Sequence, residues 1–360
     1  MFDVESLEMV DDIYQGRVDG YIYSRDANPN ITIFEQIIAQ LEQSDDAVAC
    51  SSGMAAIGIT LLSMVSAGDS VAVASELYGG TNQLVRQHLT KLGVTADFVD
   101  VTDLSAVERS LAKRPTLLLL ESITNPLLRL IDIEAISAMA RRHGVKVVVD
   151  NTLATPVLLR PMGLGADAVI HSATKYLGGH SDVTGGIVAA NADLSLSIRQ
   201  SCRVWGSILD PFAAWLIVRG LRTLPLRVER ACDNALQVAQ YLSASAKVET
   251  THYPGLSDHP QHQMAREMMG GRFGCMVTFD LAGGGDAAAA FVRATDLIRF
   301  APSLGETRTT LSHPAKTSHR ALSSQERKAL GITDATIRLS CGIESVEDII
   351  SDIDQALAGL

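Results

Sequence analysis

The chain has 360 residues, of which 47% are apolar and 20% charged, the balance of a globular protein with a sizeable core and not of a disordered chain. A formal net charge of −11, with no basic stripe, argues against a nucleic-acid or anionic-membrane surface. Aromatic residues make up only 5%, so the core is expected to be aliphatic, of the kind built by sheets under Ala-rich helices.

Residues 1–45 read as a short arm and a helix. The stretch Tyr21–Pro29 has no helical period, whereas Ile33, Ile37, Ile38 and Leu41 fall at helical spacing. Strands are then expected at Val71–Ala74, Asp97–Val101, Thr116–Leu120, Val145–Val149, Ala168–Ile170 and Gly186–Ala189. Helical patterns lie between them at Gly53–Met64, Gly80–Leu92, Leu104–Ala112 and Ile133–His143. Leu117–Leu120 and Val147–Val149 are continuous apolar runs, as in parallel strands covered on both faces. The alternation predicts an α/β fold, with a large doubly wound, mostly parallel sheet domain over residues 46–225. Near Pro225 the pattern changes. A long helix, roughly Arg227–Ser243, precedes isolated strands at Met276–Asp280 and Thr336–Leu339. Gly283–Ala290 reads as a turn and a helix start, and the last helix runs about Val346–Leu357. Residues 226–360 are expected to form a smaller α+β domain.

The five cysteines, Cys50, Cys202, Cys232, Cys275 and Cys341, are odd in number, widely spaced and without a CxxC. A disulfide framework or zinc ribbon is not expected, and a reducing compartment fits. The acidic start Met1-Phe2-Asp3-Val4-Glu5 does not read as a signal peptide. No apolar run reaches the ~18 residues of a membrane span. The expected address is cytoplasmic.

Ligands of open α/β sheets bind beyond the carboxyl ends of the strands. After the strand at Ala168 come Ser172, Thr174 and Lys175, then the pair Gly178-Gly179. A lysine in a partly dry cleft can have its pKa lowered and act as an amine nucleophile. The flanking hydroxyls can hold a phosphate, and the glycine pair is expected to let backbone approach a ligand. Asp150 ends an apolar strand and can pair with a cationic group such as a pyridinium nitrogen. Ser51-Ser52-Gly53-Met54 opens a predicted helix, where free N–H groups suit an anion. A Schiff-base lysine, a carboxylate and a phosphate cup are what pyridoxal 5'-phosphate needs.

The chain resembles the cystathionine synthase and lyase group of the trans-sulfuration enzymes, pyridoxal-phosphate enzymes of fold type I. The likeness runs from about Tyr21 to the C-terminus. Its motifs, in order, are Tyr23-Ser24-Arg25 with Asn28-Pro29, Ser51-Ser52-Gly53-Met54, Leu77-Tyr78-Gly79-Gly80-Thr81, Glu121-Ser122 with Thr124-Asn125-Pro126, and Val149-Asp150-Asn151-Thr152. Ser172-Ala173-Thr174-Lys175, Tyr253-Pro254-Gly255-Leu256, Ser303-Leu304-Gly305 and Arg338-Leu339-Ser340 complete them. The resemblance implies roles. Lys175 would be the Schiff-base lysine and proton shuttle. Asp150 would pair with the ring nitrogen, and Tyr78 would stack on the ring and serve as acid or base toward the leaving group. Ser52, Gly53, Met54, Ser172 and Thr174 would hold the phosphate. Tyr23 and Arg25 would reach the phosphate of a neighbouring subunit, in a homo-oligomer, dimer or tetramer, with shared sites. Asn125 would sit near the ring oxygen. Arg338 would fork the substrate carboxylate, with Ser303 beside it. Arg308 stands where many cystathionine enzymes carry a glutamate and would favour an anion. Gly80 stands where methionine γ-lyases carry a cysteine. The arm ahead of the Tyr-Ser-Arg motif is largely missing.

The expected activity is a carbon–sulfur lyase doing α,γ-elimination on a sulfur amino acid, giving a 2-oxo acid, ammonia and a thiol. The alternative is γ-replacement on an O-acylhomoserine. Ser172-x-x-Lys175 also matches a serine-hydrolase pattern, but Ser181-Asp182 is followed by Val183 and no Lys-Thr-Gly occurs. No metal is expected: His259 and His262 flank Pro260 with no further ligand pair near.

Overall fold

The computed structural model describes residues 2–320 and 322–360. The apolar runs of the first half become one seven-stranded sheet: β1 (Asp46–Cys50), β2 (Ser70–Ala74), β3 (Thr95–Val99), β4 (Leu117–Glu121), β5 (Lys146–Asp150), β6 (Ala168–His171) and β7 (Gly186–Ala190), in the order β1-β7-β6-β5-β4-β2-β3. Only β7 runs against its neighbours. Every residue of β4 and β7 is buried, because helices cover both faces of the sheet.

Two expected helices carry the bounds read from the sequence. Gly53–Met64 is capped by Ser52 and Ile133–His143 by Asp132, with Gly144 closing the latter at φ +71°. The expected helix at Gly80–Leu92 is instead α-helical over Gly79–Gln83, widens to a π-helical turn at Leu84–Leu89 and tightens to a 3-10 turn at Thr90–Leu92. The long helix begins earlier than expected, at Leu224, because Pro225 fits a first helical turn. The pattern does not single out β1, whose run Ala47–Cys50 is short, nor the helices Leu7–Tyr14, Thr155–Leu158, Ala192–Trp205 and Pro211–Leu221, and the helix marked by Ile33–Leu41 extends over Pro29–Glu42.

The second half forms a five-stranded sheet from β8 (Val248–His252), β9 (Met276–Leu281), β10 (Arg299–Phe300), β11 (Thr310–Ser312) and β12 (Thr336–Ser340), ordered β10-β11-β12-β9-β8. It is antiparallel except between β10 and β11. Helices Leu224–Ser243 and Gly284–Ala294 pack on it, and Val346–Ala358 packs against those two helices. No helix among the described residues is long and apolar enough to cross a membrane.

Candidate active site

Because β1, β2, β4, β5 and β6 are parallel, their carboxyl ends share one edge of the sheet. The residues that follow them line a cleft of about 620 Å³, completed by Ser303, the turn Lys316–Arg320 and Arg338 from the second half. Ser52, Gly53, Met54, Tyr78, Asn125, Asp150, Ser172, Thr174 and Lys175 all lie on it.

The phosphate corner forms where the helix Gly53–Met64 starts. Its first N–H groups have no partner within the helix. Gly53 approaches Ser172 so closely that a Cβ there would lie 2.7 Å from the Ser172 Oγ. Glycine is therefore required to bring this helix start against the hydroxyl. The Ser52 hydroxyl accepts the Ala55 N–H at 3.0 Å as the helix cap. The Thr174 hydroxyl is engaged with Gly185, donating to its carbonyl at 3.2 Å and accepting its N–H at 3.1 Å.

Glu121 and Asp150 are register partners at the ends of β4 and β5, so they project on the same face. Glu121 had only a place in a motif, not a role. It is 7% exposed and accepts the Tyr78 N–H at 2.6 Å. Burial, and then the Asp150 charge, pushes Glu121 up to about 8. Burial raises Asp150 as well, while hydrogen bonds from Thr152 pull it down; the Thr152 N–H lies 3.0 Å from Oδ1. Both carboxyls are thus held above their ordinary range, and at neutral pH Glu121 keeps its proton. The signal for Glu121 was present: a carboxylate ending an apolar strand, the same pattern that singled out Asp150.

Tyr78 stands exposed along one wall. Its ring lies over Gly80, where a Cβ would come within 2.7 Å of the ring and 3.0 Å of the Met54 Sδ. Across the cleft, Lys175 Nζ donates to the Ser303 Oγ at 3.0 Å. Burial, and then the Arg338 charge, lowers the Lys175 pKa, which favours the neutral amine. That amine contacts Ser303 and not Ser172, unlike a Ser-x-x-Lys hydrolase pair. Arg338 is 4% exposed. It donates to the Asn125 Oδ1 at 2.8 Å and to the Ser303 carbonyl at 3.2 Å, while its buried Nε has no partner. Burial lowers its pKa to about 10, and it stays charged at neutral pH.

Two expectations are corrected. The Gly178-Gly179 pair does not face the cleft. A Cβ on Gly178 would lie 2.7 Å from the Val183 Cγ1, and one on Gly179 (φ +76°) would run into the Arg227 guanidinium. Arg227, near the start of the long helix, is buried and donates to the carbonyls of Tyr176 and Gly220, both at 2.8 Å. It pins the lysine loop from behind. Arg308 also lies off the cleft, with its side chain 66% exposed and 3.4 Å from Glu306. The Thr307 backbone pairs with Gly179 and Ile343, and Thr309 binds Glu344, which turns Arg308 outward. Tyr23 and Arg25 are exposed on the arm, with the guanidinium carbon 5.2 Å from the ring centroid, outside this chain's cleft.

A helix-start cup with a glycine it cannot spare, two neighbouring strand-end carboxyls, and a lysine whose pKa burial lowers form a donor set that fits pyridoxal phosphate. His259 and His262 are absorbed in a turn, bonded to the Gln261 N–H and the Pro254 carbonyl.

The sequence profile of the Cys/Met metabolism PLP-dependent enzymes matches residues 2–358. An L-methionine gamma-lyase of Fusobacterium nucleatum subsp. polymorphum is 43% identical over 341 residues, 94% of this chain and 86% of that protein. An O-succinylhomoserine sulfhydrylase of Pseudomonas aeruginosa is 40% identical over 347 residues, 96% of this chain and 86% of that protein. Among solved structures, a cystathionine gamma synthase of Xanthomonas oryzae pv. oryzae, in complex with aminoacrylate and cysteine, matches with a TM-score of 0.92 at 38% identity, over 95% of this chain and 89% of that one. With profile, relatives and fold agreeing over nearly its whole length, the chain belongs to the Cys/Met metabolism PLP-dependent enzyme family.

Proposed function

We propose that the chain is a carbon–sulfur lyase that removes the γ-substituent of a sulfur amino acid by α,γ-elimination. The observation that carries this is one cleft holding a lysine with a lowered pKa 3.0 Å from Ser303, beside the forked Arg338. Pyridoxal phosphate, when bound, supplies an aldehyde for the substrate amine and a ring that draws electrons from the α-carbon. Arg338 receives the substrate α-carboxylate on its fork, oriented by Asn125. Lys175, its pKa lowered by burial, takes the proton from Cα and then moves one at Cβ. Tyr78 gives a proton to the departing sulfur. Asp150 would pair with the ring nitrogen, with protonated Glu121 beside it, and the Gly53–Ser172 corner with Met54 and Thr174 would hold the phosphate.

L-cystathionine plus water then gives 2-oxobutyrate, ammonia and cysteine. γ-Replacement on an O-acylhomoserine is the second outcome of the same cleft, supported by the O-succinylhomoserine sulfhydrylase among the relatives. The exposed Tyr23 and Arg25 support a homo-oligomer in which this arm completes a neighbour's site, and we place the enzyme in the cytoplasm. The test is mass spectrometry of the products from L-cystathionine and the cofactor-loaded enzyme. 2-Oxobutyrate supports γ-cleavage, pyruvate replaces it with β-cleavage, and no keto acid shifts the function to γ-replacement.

A further inference from the structure

The outer wall of the cleft is the turn after β11. Its 3-10 segment Pro314–Lys316 is closed by the Thr317 N–H on the His313 carbonyl at 3.0 Å and the His319 N–H on the Pro314 carbonyl at 2.9 Å. His313 and His319 are buried anchors. His313 Nε2 reaches the Asp334 carbonyl at 2.8 Å, and His319 Nδ1 lies 2.9 Å from the Ser318 Oγ. On the other flank the Ser318 carbonyl presses on Gly79, where a Cβ would lie 2.6 Å away. A turn held from both sides therefore presents Lys316, Thr317, Ser318 and Arg320 to the cleft.

The charges along the cleft are unevenly placed. Its carboxyls, Glu121 and Asp150, lie at the strand ends. Arg338 is held by Asn125 and the Ser303 carbonyl, and Lys175 by the Ser303 hydroxyl. Lys316 and Arg320 are exposed, and among the described residues neither enters an ion pair. The Thr317 hydroxyl is spent on the His313 carbonyl at 2.8 Å and the Ser318 hydroxyl on His319, so the two unneutralised cations are what makes this wall suit an anion, on a chain whose net charge of −11 repels anions elsewhere.

We infer that Lys316 and Arg320 make the cleft select substrates whose γ-substituent ends in an anion, a carboxylate or a phosphate, over those with a neutral one. This rests on the proposal that the substrate is cleaved at its γ-carbon and adds the chemistry of the leaving group. Arg308, which points away, has no part in it. With the succinyl ester of homoserine, the Cγ–O bond breaks and the oxygen leaves with the electron pair as succinate. With one water, the remainder becomes 2-oxobutyrate and ammonia, with no external oxidant or reductant.

The experiment measures release of the acid from O-succinyl-, O-phospho- and O-acetylhomoserine by the cofactor-loaded enzyme, with and without a thiol, and 2-oxobutyrate from L-cystathionine in parallel. The kcat/KM for the succinyl or phosphoryl ester should exceed that for the acetyl ester by on the order of tenfold, the scale of two solvent-screened contacts. The difference should lie in KM, shrink as salt is raised, and collapse toward unity in the Lys316→Ser/Arg320→Ser double variant. Which anionic ester leads distinguishes carboxylate from phosphate. A wild-type ratio near one, or a ratio that the double variant leaves intact, overturns the inference. Turnover of cystathionine without any ester preference overturns it alone. No product from any of the four substrates overturns it together with γ-cleavage.

Discussion

Glu121→Gln tests where the proton of the strand-end carboxyl pair resides. Glu121 is raised from 4.5 to about 8. Between those values the folded chain keeps a proton that the unfolded chain has released, so stability falls as pH rises through the window and levels off above it. At ~1.36 kcal/mol per unit, ionising Glu121 in place costs up to roughly 5 kcal/mol. Glutamine keeps an oxygen for the Tyr78 N–H, 2.6 Å away in the native chain, and carries no charge. The variant should match the wild type below about pH 4.5 and exceed it by about 2–5 kcal/mol above about pH 8. With an unfolding entropy of ~2.1 cal/mol/K per residue, that is a Tm gain of about 3–7 °C. The assay is thermal melting of cofactor-free protein across this range. A variant that melts lower than wild type by the same amount at every pH would refute the assignment, since Glu121 would then be an ionised acceptor.

Arg338→Ala removes two charge-assisted hydrogen bonds to the substrate carboxylate. It should lower kcat/KM at least about 100-fold, and a drop under about threefold, read by steady-state kinetics, would take Arg338 out of that dock. Gly80→Cys puts a Cβ 2.7 Å from the Tyr78 ring; the fold should tolerate it because the ring can turn, and a crystal structure with Tyr78 unmoved would contradict the packing. Arg308→Glu should leave the preference between cystathionine and homoserine esters unchanged, since the guanidinium faces solvent; a change in that ratio would place Arg308 in the cleft. Arg227→Met removes the donors to Tyr176 and Gly220 and should cost about 2–4 kcal/mol in melting experiments, whereas an unchanged Tm would mean the lysine loop does not depend on them.

The fold was most legible where burial is written in consecutive residues. Leu117–Leu120 and Val147–Val149 need no partner to be recognised as covered strands, and a serine or aspartate cap marks where Gly53–Met64 and Ile133–His143 begin. β8 was not legible, because most of its residues are only partly covered, and β10 has two residues, both exposed. Such strands exist through their ladder and not through their own pattern.

By itself, the sequence determined the parallel sheet and, through it, the placement of Asp150 and Lys175 at one edge. Strand direction is set by the βα alternation, and strand ends must then converge. It also carried Glu121, which ends its strand in the same way. Only the tertiary structure decided that Arg338 meets Asn125 across 213 residues, that Gly178-Gly179 makes room for Arg227 and not for a ligand, and that Arg308 faces outward while Lys316 and Arg320 line the cleft. The direction of a loop side chain is chosen by partners distant in the chain. The proton on Glu121 and the lowered pKa of Lys175 come from burial, which exists only once both halves have closed around the cleft.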